Sequence, residues 1–167
     1  MDQRMSKDKY YLNIADAVLD RSTCLRRKYG AIIVKNDEIL STGYNGAPRG
    51  RVNCSELGYC NREQLNIPSG QRYELCRSVH AEANAIISAS RRDMVGGTIY
   101  LVGRNAATGE LLNDATSCLM CRRMIINAGL DRVVIRRTET EFEVVPVEAW
   151  IAEDDLLTPE NVVMDLK

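Results

Sequence analysis

The sequence predicts an α/β fold of three layers, α/β/α, around a mixed sheet of about five strands. Three observations lead there. Short apolar, β-branched runs recur along the chain (Ala31–Val34, Thr98–Val102, Val133–Ile135), each too brief for a helix. They alternate with stretches whose apolar residues repeat at helical spacing, such as Leu119–Ala128. The first of these runs is followed by Asn36-Asp37, a hairpin turn signal, and by a returning strand at Ile39–Tyr44. An initial hairpin followed by alternating helices and strands buries a sheet between two helical layers.

In chain order, Lys7–Asp20 places Tyr11, Ile14, Ala15, Val18 and Leu19 on one helical face. Cys24 is expected to close this helix, and Gly30 to separate it from the strand at Ala31–Val34. Ile39–Tyr44 is the returning strand of the hairpin. Gly43–Gly50 (GYNGAPRG) is turn-rich, and from there to Cys76 the chain is polar and irregular. A structureless stretch of that length within a compact domain needs a function or a clamp. Val79–Arg91 reads as a helix, Thr98–Val102 as a strand and Arg104–Thr116 as a loop. Leu119–Ala128 reads as a helix ended by Gly129 at its C-cap. Val133–Ile135 and Phe142–Val145 are the last strands, and Val147–Leu157 is a final helix.

The 167 residues fit one domain, residues 1–167, without repeats or a linker. Hydrophobic residues make up 45% and charged residues 27%, the balance of a globular protein. The net charge is −1, so there is no cationic excess of the kind that nucleic-acid binding requires; a small-molecule substrate is expected instead. No apolar run approaches a membrane span, and the polar N-terminus MDQRMSKDKYY lacks the apolar core of a secretory signal. The expected location is the cytoplasm. In a reducing compartment, six cysteines point to metal binding more than to disulfides.

The single histidine lies in His80-Ala81-Glu82 at the start of a predicted helix, and Cys118-x-x-Cys121 opens another. The C-x-x-C spacing lets two thiolates converge on one ion, and a helix N-terminus favours anionic ligands. His80, Cys118 and Cys121 supply three ligands and leave a fourth tetrahedral position open, the pattern of a catalytic rather than a structural zinc. Zinc lowers the pKa of a bound water toward neutrality. Glu82, two residues from the histidine, is placed to take a proton from water and deliver it to a leaving amine. A lone histidine or a lone C-x-x-C has blander explanations, but H-x-E upstream of a helix-opening C-x-x-C is the signature of zinc deaminases.

At these residues the chain resembles the cytidine and deoxycytidylate deaminase superfamily. The resemblance runs through Arg21–Asp37, Ser41–Gly50 (STGYNGAPRG), Glu74–Ile86 and Cys118–Val134; the S-T-C and G-Y-N-G segments point to the deoxycytidylate (dCMP) branch. It implies a cytidine-deaminase-like fold, zinc on His80, Cys118 and Cys121, and Glu82 as general acid and base. It also implies hydrolytic conversion of dCMP to dUMP, with deaminases of another base or nucleoside, or a non-catalytic zinc-binding domain, as alternatives. It places the Ala81 backbone N–H against the pyrimidine carbonyl and Asn45 against the sugar or base. It implies a homo-oligomer, hexamer or dimer, with dCTP and dTTP as allosteric effectors. Two positions depart from the family pattern: Ser117 stands where proline usually precedes the first cysteine, and Ile135-Arg136-Arg137 replaces a strand end that often carries tyrosine.

Cys24, Cys54, Cys60 and Cys76 remain. A second, structural zinc on these four thiols would explain how the long polar segment stays ordered. Some relatives hold a second zinc at places matching Cys24 and Cys54. For the nucleotide phosphate, Arg26 and Arg49 are preferred because they flank the family motifs. The pairs Arg91-Arg92, Arg122-Arg123 and Arg136-Arg137 read as helix-end or surface charge.

Overall fold

The computed structural model describes residues 4–153. Five strands, β1 (Arg27–Lys35), β2 (Glu38–Tyr44), β3 (Thr98–Asn105), β4 (Arg132–Arg136) and β5 (Phe142–Pro146), form one sheet in the order β2-β1-β3-β4-β5. The sheet is mixed: β3 and β4 run parallel, and every other pair is antiparallel. Asn36 and Asp37 turn the β1–β2 hairpin with φ of 50° and 65°, the left-handed pair that a two-residue type I′ turn demands.

The inner strands are buried on both faces, which is why they read as unbroken apolar runs. Ala31, Ile33, Ile99, Leu101, Val133 and Ile135 point to one side, where helices α4 (Ala81–Ile87) and α6 (Leu119–Ala128) cover them. Ile32, Val34, Tyr100, Val102 and Val134 point to the other side, against Tyr11, Leu12, Ala15 and Leu19 of α1 (Lys7–Leu19). These are the three expected layers. Two glycines set how closely the layers approach. A Cβ on Gly30 would lie 2.1 Å from the Ala15 carbonyl oxygen of α1, and one on Gly43 would lie 2.2 Å from the Ala81 carbonyl oxygen of α4.

Several expectations need correction. The opening helix stops at Leu19, so Cys24 lies in the loop beyond it. The helix expected over Val79–Arg91 is α4 alone, followed by a separate turn, α5 (Arg91–Met94). The Ser88 hydroxyl donates to the Asn84 carbonyl (2.8 Å), competing with helix continuation, and the new turn starts after Ser90, whose backbone carbonyl accepts from the Asp93 amide (3.0 Å). The polar segment after Gly50 is not structureless. It holds α2 (Cys54–Leu57), α3 (Asn61–Gln64) and a 3-10 turn at Tyr73–Leu75. The final helix, α7, covers Val147–Ala152; the expected continuation to Leu157 falls outside the described residues. Nor are all the paired arginines surface charge. Arg136 is buried, donates to Asn13 (2.6 Å) and pairs with Asp16, while Arg137 donates to the carbonyl oxygen of Asn113 (2.9 Å). Among the described residues no helix is long and apolar enough to cross a membrane.

Candidate active site

Two helix N-termini meet under the carboxyl end of β3. His80 is the N-cap residue of α4, and Cys118 is the N-cap residue of α6, with Cys121 in its first turn. Both caps have extended backbone, as N-cap residues do, and their side chains meet. Strand β2 fixes α4: the Ser41 hydroxyl donates to the Ala85 carbonyl (2.7 Å), Asn84 Nδ2 donates to the Tyr44 carbonyl (2.8 Å), and Gly43 permits the contact described above. The chain entering α4 is tied down by Gly46, whose amide and carbonyl pair with Val79 at 3.2 and 2.8 Å. The G-Y-N-G segment therefore holds the lead-in to the histidine.

His80 Nδ1 lies 3.4 Å from Cys118 Sγ and 3.4 Å from Cys121 Sγ. Tetrahedral zinc with ordinary N and S bond lengths would set such atoms about 3.6 Å apart, so the donor set fits the ion. It is the one trio of His, Cys, Asp or Glu among the described residues whose ligand atoms all lie within 4.8 Å. Cys118 is held well below the usual thiol range, first by its hydrogen bond with Cys121 and then by His80, while Cys121 is pushed up by that same sharing and by burial. For His80, burial opposes the charged ring, but the Cys118 thiolate and the Glu82 carboxylate outweigh it and raise the pKa.

Glu82 is 4% exposed. Burial pushes its carboxyl up, and its own backbone amide, His80 and Ser117 offset this in part. The Ser117 hydroxyl is also buried. Where the family pattern has proline, the loop is steadied differently here. Arg122 Nε donates to the Ser117 carbonyl (3.1 Å), and its guanidinium lies 4.9 Å from the centre of the Trp150 ring.

A cavity of about 110 Å³ opens over this centre. The structure brings His80, Ala81, Glu82, Cys118, Asn45 and Arg26 to its wall. Ala81 is the first residue of α4, so its N–H has no acceptor within the helix. Asn45 is buried and already committed. Its Oδ1 accepts from Ser22 Oγ (2.5 Å) and the Tyr29 amide (2.8 Å), and its Nδ2 donates to the Arg27 carbonyl (2.8 Å). Arg26 pairs with Glu63 at 2.9 Å. Arg49 is not brought in: it sits exposed in the turn between Pro48 and Arg51, outside the cavity wall.

Cys24, Cys60 and Cys76 also face the cavity, with Cys54 buried nearby. All four are free thiols, and no three of their sulfurs come within 4.8 Å of one another. Sequence reasoning did not single out Tyr29, Arg62 or Tyr73 and, among the candidate phosphate cations, preferred Arg26 to Arg27, yet all four line the cavity. Arg27 and Tyr29 were discoverable, because RRKY leads straight into β1. Arg62 and Tyr73 lie in the polar segment and carry no periodic signal.

Comparison with known proteins agrees with this geometry. Residues 5–137 match the family model for the cytidine and deoxycytidylate deaminase zinc-binding region. The deoxycytidylate deaminase of Mycobacterium phage D29 is 39% identical over 132 residues, covering 76% of this chain and 91% of that one. The deoxycytidylate deaminase of Schizosaccharomyces pombe is 36% identical over 131 residues; the match covers 78% of this chain but spans only 37% of the yeast protein. The crystal structure of the dCMP deaminase of cyanophage S-TIM5 in complex with dCMP and dUMP is 26% identical, with a TM-score of 0.55 over 80% of this chain and 84% of that one. The family model over residues 5–137 and a 39% identical relative covered over 91% of its length have one reading: the chain belongs to the cytidine and deoxycytidylate deaminase family.

Proposed function

We propose that the protein is a zinc-dependent hydrolase that replaces the 4-amino group of a cytosine nucleotide with oxygen, converting dCMP and water to dUMP and ammonia. The observation that carries this is the meeting of His80, Cys118 and Cys121 at 3.4 Å spacing with buried Glu82 beside them. The D29 phage relative, named as a deoxycytidylate deaminase, and the cyanophage complex with dCMP and dUMP support the substrate.

His80, Cys118 and Cys121 would hold the zinc, which would supply Lewis acidity enough to ionise a water near neutral pH. Glu82 takes the two protons of the attacking water in turn, delivering one to the ring nitrogen and the other to the departing amine; its raised pKa suits a group that must both accept and donate. The Ala81 N–H donates to the pyrimidine carbonyl. Asn45 Nδ2 has one hydrogen on the Arg27 carbonyl and a second to offer the sugar. Arg26 and Arg27, on the same wall, supply charge for the phosphate; Arg49 is exposed and not on that wall.

Loss of cytosine absorbance with zinc-loaded protein tests this, comparing dCMP, CMP, dCTP and deoxycytidine, each with and without added dCTP. Fastest turnover of dCMP supports the reading. Equal or better turnover of deoxycytidine would move it to a nucleoside, and no turnover of any would leave a zinc-binding protein without this activity. The family likeness also supports a cytoplasmic homo-oligomer, dimer or hexamer, regulated by dCTP and dTTP; sedimentation with and without each effector checks both points.

A structural zinc on Cys24, Cys54, Cys60 and Cys76 is a further part of the proposal. Burial first, and then the charges of the neighbouring thiols, push Cys54 up, so the four sulfurs lie near enough to sense one another. The ion would have to draw them closer. Two zinc equivalents per chain, falling to one in Cys54→Ser, is the expected result; one equivalent in the unaltered protein removes this second site.

A further inference from the structure

Among the described residues, both polar contacts of the His80 ring run through Nδ1, toward Cys118 and Cys121. Rotation of the ring about that direction is therefore left to packing. What packs there is Tyr73, whose ring centre is 4.9 Å from that of His80 with the planes at 88°, an edge-on contact. Over the Tyr73 ring lies the Arg62 guanidinium, 4.5 Å from its centre.

Arg62 is only 6% exposed, and no carboxylate lies within ion-pair distance of it among the described residues. Its Nη2 donates to the carbonyl oxygens of Pro68 (2.8 Å) and Gln71 (2.7 Å), closing the loop that leads into the Tyr73 turn, while its buried Nε has no partner among the described residues. A buried cation without a counter-ion is costly to keep, and here two carbonyls and an aromatic face hold it. Both residues come from the polar segment that has no periodic reason to fold, and both line the cavity above the metal ligands.

We infer that Tyr73 and Arg62 are positioning residues for His80: Arg62 pins the Tyr73 ring, and Tyr73 fixes the plane of the imidazole so that Nδ1 stays aimed at the ion. This rests on the zinc reading above. Ligand histidines are usually oriented by a polar partner on the second nitrogen, and loss of such outer support typically costs about 10–100-fold in metal affinity or activity. An aromatic wall braced by a cation takes that part in this chain.

The test is the rate of zinc release into excess chelator, together with the visible spectrum of the cobalt-substituted protein. Tyr73→Leu and Arg62→Met are expected to release zinc about 10–100-fold faster and to change the cobalt bands. Tyr73→Phe, which keeps both ring contacts, is expected to match the unaltered protein, as is Leu75→Ala in the same turn. Unchanged release and spectrum in Tyr73→Leu, or a Tyr73→Phe protein as impaired as the leucine variant, overturns the inference. If the leucine variant does not fold, Arg62→Lys keeps the charge but loses the fork across the two carbonyls; faster release supports the inference and equal release overturns it. A His80→Ala protein that holds zinc as tightly as the unaltered one would instead overturn the zinc assignment, and the inference with it.

Discussion

Asn45 shows how one side chain serves both fold and site. Its amide joins Ser22, the Arg27 carbonyl and the Tyr29 amide, tying the S-T-C loop to the start of β1 and so fixing the arginines of the cavity wall. Asn45→Ala leaves buried backbone groups unpaired, and we expect a loss of roughly 2–4 kcal/mol in denaturant unfolding. A loss below about 0.5 kcal/mol would mean that water replaces the amide without cost. Asn45→Asp keeps the acceptor oxygen but offers no donor, so its larger effect is expected on KM for dCMP. Ser117 is a second instance. Its carbonyl is held by Arg122, so Arg122→Ala is predicted to slow turnover through the Cys118 loop while zinc stays bound; unchanged kcat would show that the loop needs no such brace.

At the scale of elements, the position of α4 on β2 decides whether the metal ligands converge. Gly43→Ala would drive a Cβ into the Ala81 carbonyl at 2.2 Å. We expect a destabilisation of about 1–3 kcal/mol and weaker zinc binding, measured by unfolding and by metal competition; a neutral result would mean that α4 shifts freely. The elements that could be read from sequence are those with period and punctuation. In α6, apolar spacing starts at Cys118 and stops at Gly129, whose φ is 78°. In the β1–β2 hairpin, two apolar runs flank Asn36-Asp37. The segment after Gly50 could not be read this way. Its turns are held by reach-back contacts, such as the Glu56 carboxylate accepting from Asn53 Nδ2 (2.6 Å) and Arg62 spanning two carbonyls, and neither leaves a periodic trace. The three candidate metal ligands and Glu82 could be picked out because the H-x-E and C-x-x-C spacing points to their chemistry. Arg62 and Tyr73 were not, because their role depends on a fold that returns a distant loop to the cavity.

At the scale of the whole molecule, α1 is fastened to the sheet by polar contacts around an apolar seam. Tyr100 donates to Asp8 (2.7 Å), and Arg104 donates to Asp16 at 2.6 and 2.7 Å. Burial first, then the bond to Asp37, pushes the Tyr11 phenol up to about 12; burial and Asp8 push Tyr100 up as well. A raised pKa in the folded state favours the protonated phenol, so this stability is complete below the ordinary tyrosine value near 10 and is lost as pH rises through the folded value. Unfolding free energy should therefore fall between about pH 10 and 12, and less steeply in Tyr11→Phe; an identical alkaline slope in that variant would show that Tyr11 is not the titrating group. The proposed function comes down to Glu82 beside a zinc that His80, Cys118 and Cys121 would hold. The measurement that bears on this most directly is turnover of dCMP by zinc-loaded protein beside Glu82→Gln, with zinc content determined on both. The account predicts conversion to dUMP by the unaltered protein and a fall of at least about 10²-fold in the variant at equal zinc content. Equal turnover by the two proteins would contradict it.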